Sequence, residues 1–468
     1  MINEIQHKEK IEFSWQDFIL PLSFMLSLTL LGLECPIAYF FIATILYYSF
    51  RFDRYDLLIQ STFLFGVYQY YDENLSFPFK LADIGLILSF ITVIIYRKDK
   101  ILWKILLLTL GYFLFLFFIA KISDESFVVQ LRRMRHYMYI IYFMFPLLCF
   151  GNREFDIKIF IRRVLLYAII ISIFIIFDSL IFSEHILFPR AVHGSLVYTN
   201  INFVPFSSFL RIYPQVIFIS VLLIYPLMFQ YSIPKWIWPI VIIATICTKT
   251  FSYMGGILIT CFFFQKKIKN KITQLVLCVC LLFVGSIVDQ SLGGSLRINH
   301  LLNQFKTLIP GKTSVYNDLE TLASFGSTRG AQIIPKIELL TDMNKLSLGF
   351  GFLHNKETNN DEYIINNEYY SDISKAEEVA TMVEVTQVQT VLDMGLIGLL
   401  VQHLFYILIY IIIRKYQYSI YYITVVVCVS VWGIGGFAGL SYIHGVLLVG
   451  LSLGSILLVN KNRDLKTY

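Results

Sequence analysis

Residues 266–287 read KKIKNKITQLVLCVCLLFVGSI: Lys266, Lys267, Lys269 and Lys271, then Ile272 to Ile287 without one charged side chain. A helix needs about 20 apolar residues to cross the hydrocarbon of a bilayer, and this run approaches that length. Lysines at the mouth of a span are retained on the cytoplasmic side. The helix therefore leaves the cytoplasm here, and the chain emerges outside at its far end. A second apolar run, Val391 to Ile413, ends on Arg414 and Lys415 and brings the chain back. Between the two lies 289–390, the only long polar interval in the sequence, which is predicted to be a large extracytoplasmic loop.

Composition agrees with that reading over the whole chain. Of 468 residues, 57% are hydrophobic, 16% aromatic and only 15% charged, too apolar for a soluble domain. The predicted fold is an all-α polytopic integral membrane protein. Apolar runs fall at 17–33, 36–50, 57–71, 79–96, 101–120, 137–150, 164–182, 205–230, 236–248, 252–264, 272–288, 391–413, 418–434 and 437–459. They predict about 12–14 transmembrane helices, the pairs within 17–50 and 236–264 each readable as one bent crossing or a re-entrant pair. Three regions result: an N-terminal bundle 1–288, the loop 289–390 and the C-terminal helices 391–468. Residues 1–16 are polar with no small-residue cleavage pattern, so the first span is expected to stay as an anchor.

An even number of spans puts both termini on one side. With that side cytoplasmic, the inner segments collect 22 of the 38 Lys and Arg, and half of the outer remainder sits in the long loop, which is exempt from the rule by its length. Short outer segments hold the other eight, among them Arg132, Arg133 and Arg135, Arg190, Arg211 and Lys249, and Arg329 lies in the loop. Snorkelling explains such residues as readily as function does, but an arginine-rich rim also suits a pyrophosphate. Arg211, in Phe209-Leu210-Arg211-Ile212-Tyr213-Pro214 at the outer end of the 205–230 run, calls for an anionic partner.

Within the loop, Gly326-Ser327-Thr328-Arg329-Gly330 opens an amphipathic stretch in which Ile333, Ile334, Ile337, Leu339 and Leu340 recur with helical spacing. Leu348-Gly349-Phe350-Gly351-Phe352 comes next, and residues 355–378 form an acidic, Asn- and Tyr-rich surface insertion. Gln387 to Leu399 then runs directly into the membrane. The outer carboxylates are Asp289, Glu338, Asp342, Glu384 and Asp393, of which Glu384 and Asp393 read as solvated or helix N-terminal charges. All seven cysteines lie in apolar runs, which excludes a disulfide framework or a CxxC metal site in the loop. No P-loop, GxGxxG, HExxH, GxSxG or Asp-x-Asp motif is present.

The order of many spans, Arg211 before a span, the outer loop with Ser327-Thr328-Arg329, the Leu348-Gly349-Phe350-Gly351 step and the Gly395-Leu396-Ile397-Gly398 entry to the next span together resemble the O-antigen polymerase and ligase family over about residues 200–415. Two positions depart from the family pattern. Glu384-Val385 stands where ligases carry His-Asn, which favours a polymerase, and Ser252-Tyr253 stands where many relatives have Ser-Arg. The resemblance implies a glycosyltransferase acting on undecaprenyl-diphosphate-linked glycans at the periplasmic face of the bacterial inner membrane, without metal, cofactor or nucleic acid and with a chain-length regulator protein as a partner. A ligase, or a flippase of the same lipid-linked glycan, are the alternatives. Such chemistry needs cations for the leaving diphosphate and an acceptor for the attacking hydroxyl's proton. Arg211 and Arg329 are the expected catalytic cations, Glu384 the first and His354 the second choice of base, and Arg132, Arg133, Arg135 and Tyr253 the expected substrate contacts.

Overall fold

The computed structural model describes residues 11–67, 81–95, 100–122, 127–151, 153–181, 186–188, 192–193, 211–212, 233–247, 262, 268–291, 337, 340–352, 385–435 and 439–466. They are overwhelmingly helical. The helices are α1 (Ile19–Gly32), α2 (Ile37–Phe52), α3 (Arg54–Val67), α4 (Leu81–Ile95), α5 (Lys100–Ala120), α6 (Phe127–Met138), α7 (Met144–Phe150), α8 (Ile157–Ile181), α9 (Ile237–Cys247), α10 (Ile268–Ser291), α11 (Thr386–Ile413), α12 (Ser419–Gly435) and α13 (Ile443–Lys466). Short 3-10 turns at Trp15–Phe18 and Tyr139–Phe143 lead into α1 and join α6 to α7. Among the described residues, five helices are long and apolar enough to cross a membrane, beginning at Trp15, Lys100, Ile157, Thr386 and Ile443. The protein is thus a helical membrane protein.

Local signals account for the helix ends. The run 17–50 is two helices, because α1 closes in a Schellman motif: Glu34 adopts φ 60°, its N–H donates to Leu31 O and the Cys35 N–H to Leu30 O, both at 3.0 Å. Pro36 then starts α2. Asp53 caps α3, its Oδ1 accepting from the N–H groups of Tyr55 at 3.2 Å and Asp56 at 3.4 Å.

Contacts between helices join like ends. At one end Asp17 meets Arg162, Phe13 meets Trp236, Lys461 donates to Gly151 O and the Gln417 N–H donates to Asn460. At the other, Thr29 donates to Leu187 O, Ser179 to Cys247 O, Arg135 to Asp83 and Gln402 to Leu440 O. These are the two sets that alternate crossing from a common side requires.

The centre of the bundle is the run from α6 through α7, packed between α4 and α13. Gly450 and Gly454 of α13 permit the close approach: a Cβ at Gly450 would lie 3.2 Å from Phe143 N, and one at Gly454 would strike Pro146, the small-xxx-small device of membrane helices. Outward faces are apolar, with Phe40 71%, Leu400 61% and Phe283 68% exposed, as lipid contact demands and water does not.

Three boundaries depart from the sequence reading. The helical run expected at 137–150 begins at Phe127, because Val128, Val129, Leu131 and Met134 extend the apolar periodicity past the arginines, so Arg132, Arg133 and Arg135 lie inside a helix rather than before it. The run expected at 391 begins at Thr386. Within the run expected at 205–230, Arg211 and Ile212 are extended and pair antiparallel with Val192 and His193, since Tyr213 precedes a proline and disfavours helix. The rest of that run, the run at 252–264 apart from Phe262, and most of the interval 289–390 lie outside the described residues.

Candidate functional site

The segments Leu348-Gly349-Phe350-Gly351 and Gly395-Leu396-Ile397-Gly398, 40 or more residues apart in sequence, cross one another directly. Gly395 interrupts α11 with φ 69° and ψ −174°, a conformation essentially reserved for glycine. The interruption frees backbone groups on both sides of it. The Phe350 N–H donates to Leu392 O at 2.8 Å and the Gly351 N–H to Asp393 O at 3.1 Å, while the N–H groups of Leu396 and Ile397 donate to Leu346 O and Ser347 O at 2.9 and 3.1 Å. Loop backbone thus takes the place of the missing helical turn, satisfying groups that are costly to leave open in a membrane. Gly349, at φ 71°, faces this break, and a Cβ on it would come within 2.6 Å of Leu392 O.

The expected amphipathic helix arrives here too. Its described end stops at Asn344, φ 55°, in a second Schellman closure with Lys345 N–H donating to Leu340 O at 2.7 Å. Ile337 and Leu340 bury against Val388, Val391 and Leu392 of α11, while Asp342 and Met343 stay exposed.

Beside this crossing sits Asp393, 2% exposed and surrounded by donors. Gln389, one turn earlier on α11, gives its Nε2 to Oδ1 at 2.8 Å; Tyr137 gives its hydroxyl to Oδ2 at 2.6 Å; Arg133 gives Nε to Oδ2 at 3.3 Å. The Arg133 guanidinium also lies over the ring of Tyr442, 5.8 Å from its centroid, and Tyr137 packs on Phe352 at 5.6 Å. Asp393 is therefore neither solvated nor a helix N-terminal charge, as its sequence position suggested: the helix begins seven residues before it, and it is a buried counter-ion. With three donors on two oxygens it is a good orienter of Arg133. Arg133 spends only Nε on it, and Nη2 is buried with no hydrogen-bond partner among the described residues.

The same construction is repeated two residues further along. Arg135 donates Nη1 to Asp83 Oδ2 at 2.8 Å and Tyr139 its hydroxyl to Asp83 Oδ1 at 2.7 Å. In each case Arg and Tyr are four apart, Arg133 and Tyr137 on one face of α6 and Arg135 with Tyr139 across the step from α6 into the 3-10 turn. Positions 133 and 135 are separated by about 200° around the axis, so one pair turns to α11 and the other to α4. The arginine cluster is not a single rim. Arg133 and Arg135 diverge, each already holding a carboxylate.

Arg211 pairs through its backbone with His193 in the short two-stranded bridge. Arg132 lies on α6. Arg329, His354, Glu384 and Tyr253 lie outside the described residues, although Val385, next to Glu384, is the residue that precedes α11 and is buried. Sequence reasoning passed over Tyr137, Gln389 and Asp83. The available signals were the repeated Arg-x-x-x-Tyr spacing and carboxylates at the starts of apolar runs. Neither a scan against protein-family models nor a search of curated proteins finds a match to this chain.

Proposed function

We propose that this membrane protein polymerises undecaprenyl-diphosphate-linked oligosaccharide repeats at the periplasmic face of the bacterial inner membrane. The observation that carries the reading is Arg133: a guanidinium fixed through Nε by a buried carboxylate, with a second nitrogen unspent, at the crossing of the two glycine segments on which the family resemblance rests. A guanidinium held in this way is preorganised for phosphate oxygens. In the reaction, a hydroxyl of the acceptor glycan attacks the anomeric carbon of the donor. The new carbon–oxygen bond forms as the anomeric carbon–phosphate oxygen bond breaks, the lipid diphosphate leaves, and the hydroxyl proton passes to the base.

Arg133 joins Arg211 and Arg329 as a proposed counter-ion of the leaving diphosphate, with Arg132 and Tyr253 as proposed substrate contacts; Arg135, turned to α4 and holding Asp83, is not one of them. Glu384, two positions before the first residue of α11 in sequence, remains the proposed base and His354 its alternative. No Asp-x-Asp motif is available to hold a bridging metal, so turnover is expected to be metal-independent. The proposal has both termini in the cytoplasm and a chain-length regulator as the protein partner.

The deciding experiment incubates purified protein in vesicles with lipid-linked repeats and resolves the products by size. A ladder of lipid-linked multimers supports the polymerase. Transfer of glycan to lipid A core acceptor without a ladder means a ligase, and movement of the repeat across the bilayer without new glycosidic bonds means a flippase.

A further inference from the structure

At the end of the bundle opposite Asp393, three carboxylates share two guanidiniums. Arg163 of α8 places Nη2 2.5 Å from Asp53 Oδ2, Nη1 3.5 Å from Asp17 Oδ1 and Nε 3.3 Å from Asp56 Oδ2. Arg162 pairs with Asp17. Among the described residues, three negative charges against two positive ones leave one carboxylate unbalanced, and the three are not equivalent. Asp17 also accepts from the backbone N–H and the hydroxyl of Ser14, at 2.8 and 2.9 Å. Asp53 accepts two backbone N–H groups as the cap of α3.

Asp56 is 0% exposed, and neither of its oxygens accepts a hydrogen bond from the described residues in good geometry. Besides Arg163, the charged and titratable groups facing it are the Asp53 carboxylate and the Tyr167 phenol, whose oxygen accepts from Gln60 Nε2 at 2.8 Å. Arg54 does not help: its Nη1 donates to Cys149 O and its guanidinium stands over Phe50.

We propose that this cluster is a binding site for a single proton, and that Asp56 holds it. Three carboxyl groups, two guanidiniums and one proton are neutral, whereas a third buried carboxylate would be uncompensated in an apolar setting. Protonated Asp56 also gains an O–H with which to reach the oxygen of Tyr167 or Asp53. The inference stands apart from the glycan chemistry, which takes place at the other end of the bundle.

The test treats the purified full-length chain in vesicles with dicyclohexylcarbodiimide, which adds to protonated carboxyls in apolar surroundings, and maps the adduct by peptide mass spectrometry across a pH series. Infrared spectra report the carbonyl band of a protonated acid in parallel. At neutral pH the adduct is expected on Asp56 and not on Asp17 or Asp53, declining as pH rises, and Asp56→Asn is expected to lose both adduct and band. Asp53→Asn keeps an α3 cap but removes one negative charge, leaving two carboxylates for two guanidiniums. In that variant Asp56 is expected to ionise and its adduct to fall about tenfold. Absence of both adduct and band in the intact chain overturns the proposal, and so does an unchanged Asp56 adduct in Asp53→Asn.

Discussion

Arg133 illustrates how far a single residue can be read from sequence. Its charge beside an apolar run was visible, and with it the suggestion of an arginine-rich rim suited to a pyrophosphate. The partner was not, because Asp393 is 260 residues away and reads, beside an apolar run, like any charge at a helix entrance. Breaking a buried ion pair from one side leaves the other charge uncompensated, a cost of about 3–5 kcal/mol. Arg133→Ala is therefore expected to lower the amount of folded protein in the membrane, and Asp393→Ala to do the same. In the double variant the two losses should not add, with a coupling of about 0.5–3 kcal/mol in a thermal or denaturant unfolding cycle. Additive losses would mean that the pair does not act as one. Arg133→Lys separates structure from chemistry: the charge on Asp393 stays balanced but the fork geometry is lost. Normal membrane abundance with polymerisation reduced about 10²-fold, the scale of one lost transition-state donor, is the expected outcome. Long ladders from this variant would remove Arg133 from the diphosphate site.

Among the elements, the broken helix α11 was the least legible. Val391 to Ile413 reads as one uninterrupted apolar helix, and Gly395 within it looks like ordinary membrane-helix glycine. The break exists because loop backbone supplies hydrogen bonds that the helix gives up, and that exchange is tertiary. The amphipathic segment was more readable, since Ile337 and Leu340 sit on the face the periodicity assigned to the core. The expected pair of short spans in 17–50 separated cleanly, at a turn closed by Glu34 where sequence would favour glycine. Two substitutions of one kind measure the difference between glycines. Gly395→Ala forces a strained backbone and a clash with Ser347, and should cost at least the roughly 1–3 kcal/mol of such strain. Gly111→Ala, at a helical position in α5 with nothing within 4 Å of the added Cβ, should be neutral or stabilising by about 0.5–1 kcal/mol. Thermal stability in detergent compares them directly, and a tolerated Gly395→Ala would refute the joint between loop and helix.

For the molecule as a whole, composition and the apolar runs carried the reading of a helical membrane protein. Reporters fused at Asn270 and Asn360 are expected to fall on opposite sides of the membrane, cytoplasmic and external respectively, and a cytoplasmic signal at Asn360 would reverse the topology. Polymerisation by the purified protein is expected to survive EDTA; activity lost to the chelator and restored by one divalent ion would instead require a metal site. The long reach of the Arg133–Asp393 pair has a temporal meaning as well. The ribosome adds about 5–20 residues per second, so roughly 10–50 s separate the synthesis of α6 from that of the carboxylate it needs. Through that interval the nascent α6 must carry Arg133 with its counter-ion still unmade. A helix bearing arginine inserts less readily alone, by an amount that grows toward about 2.5–3.5 kcal/mol at the centre of the bilayer. Nascent chains stalled before Thr386 should therefore leave α6 accessible to water-soluble cysteine reagents, and chains stalled after Ile413 should protect it, so that the last third of the protein completes the insertion of the first.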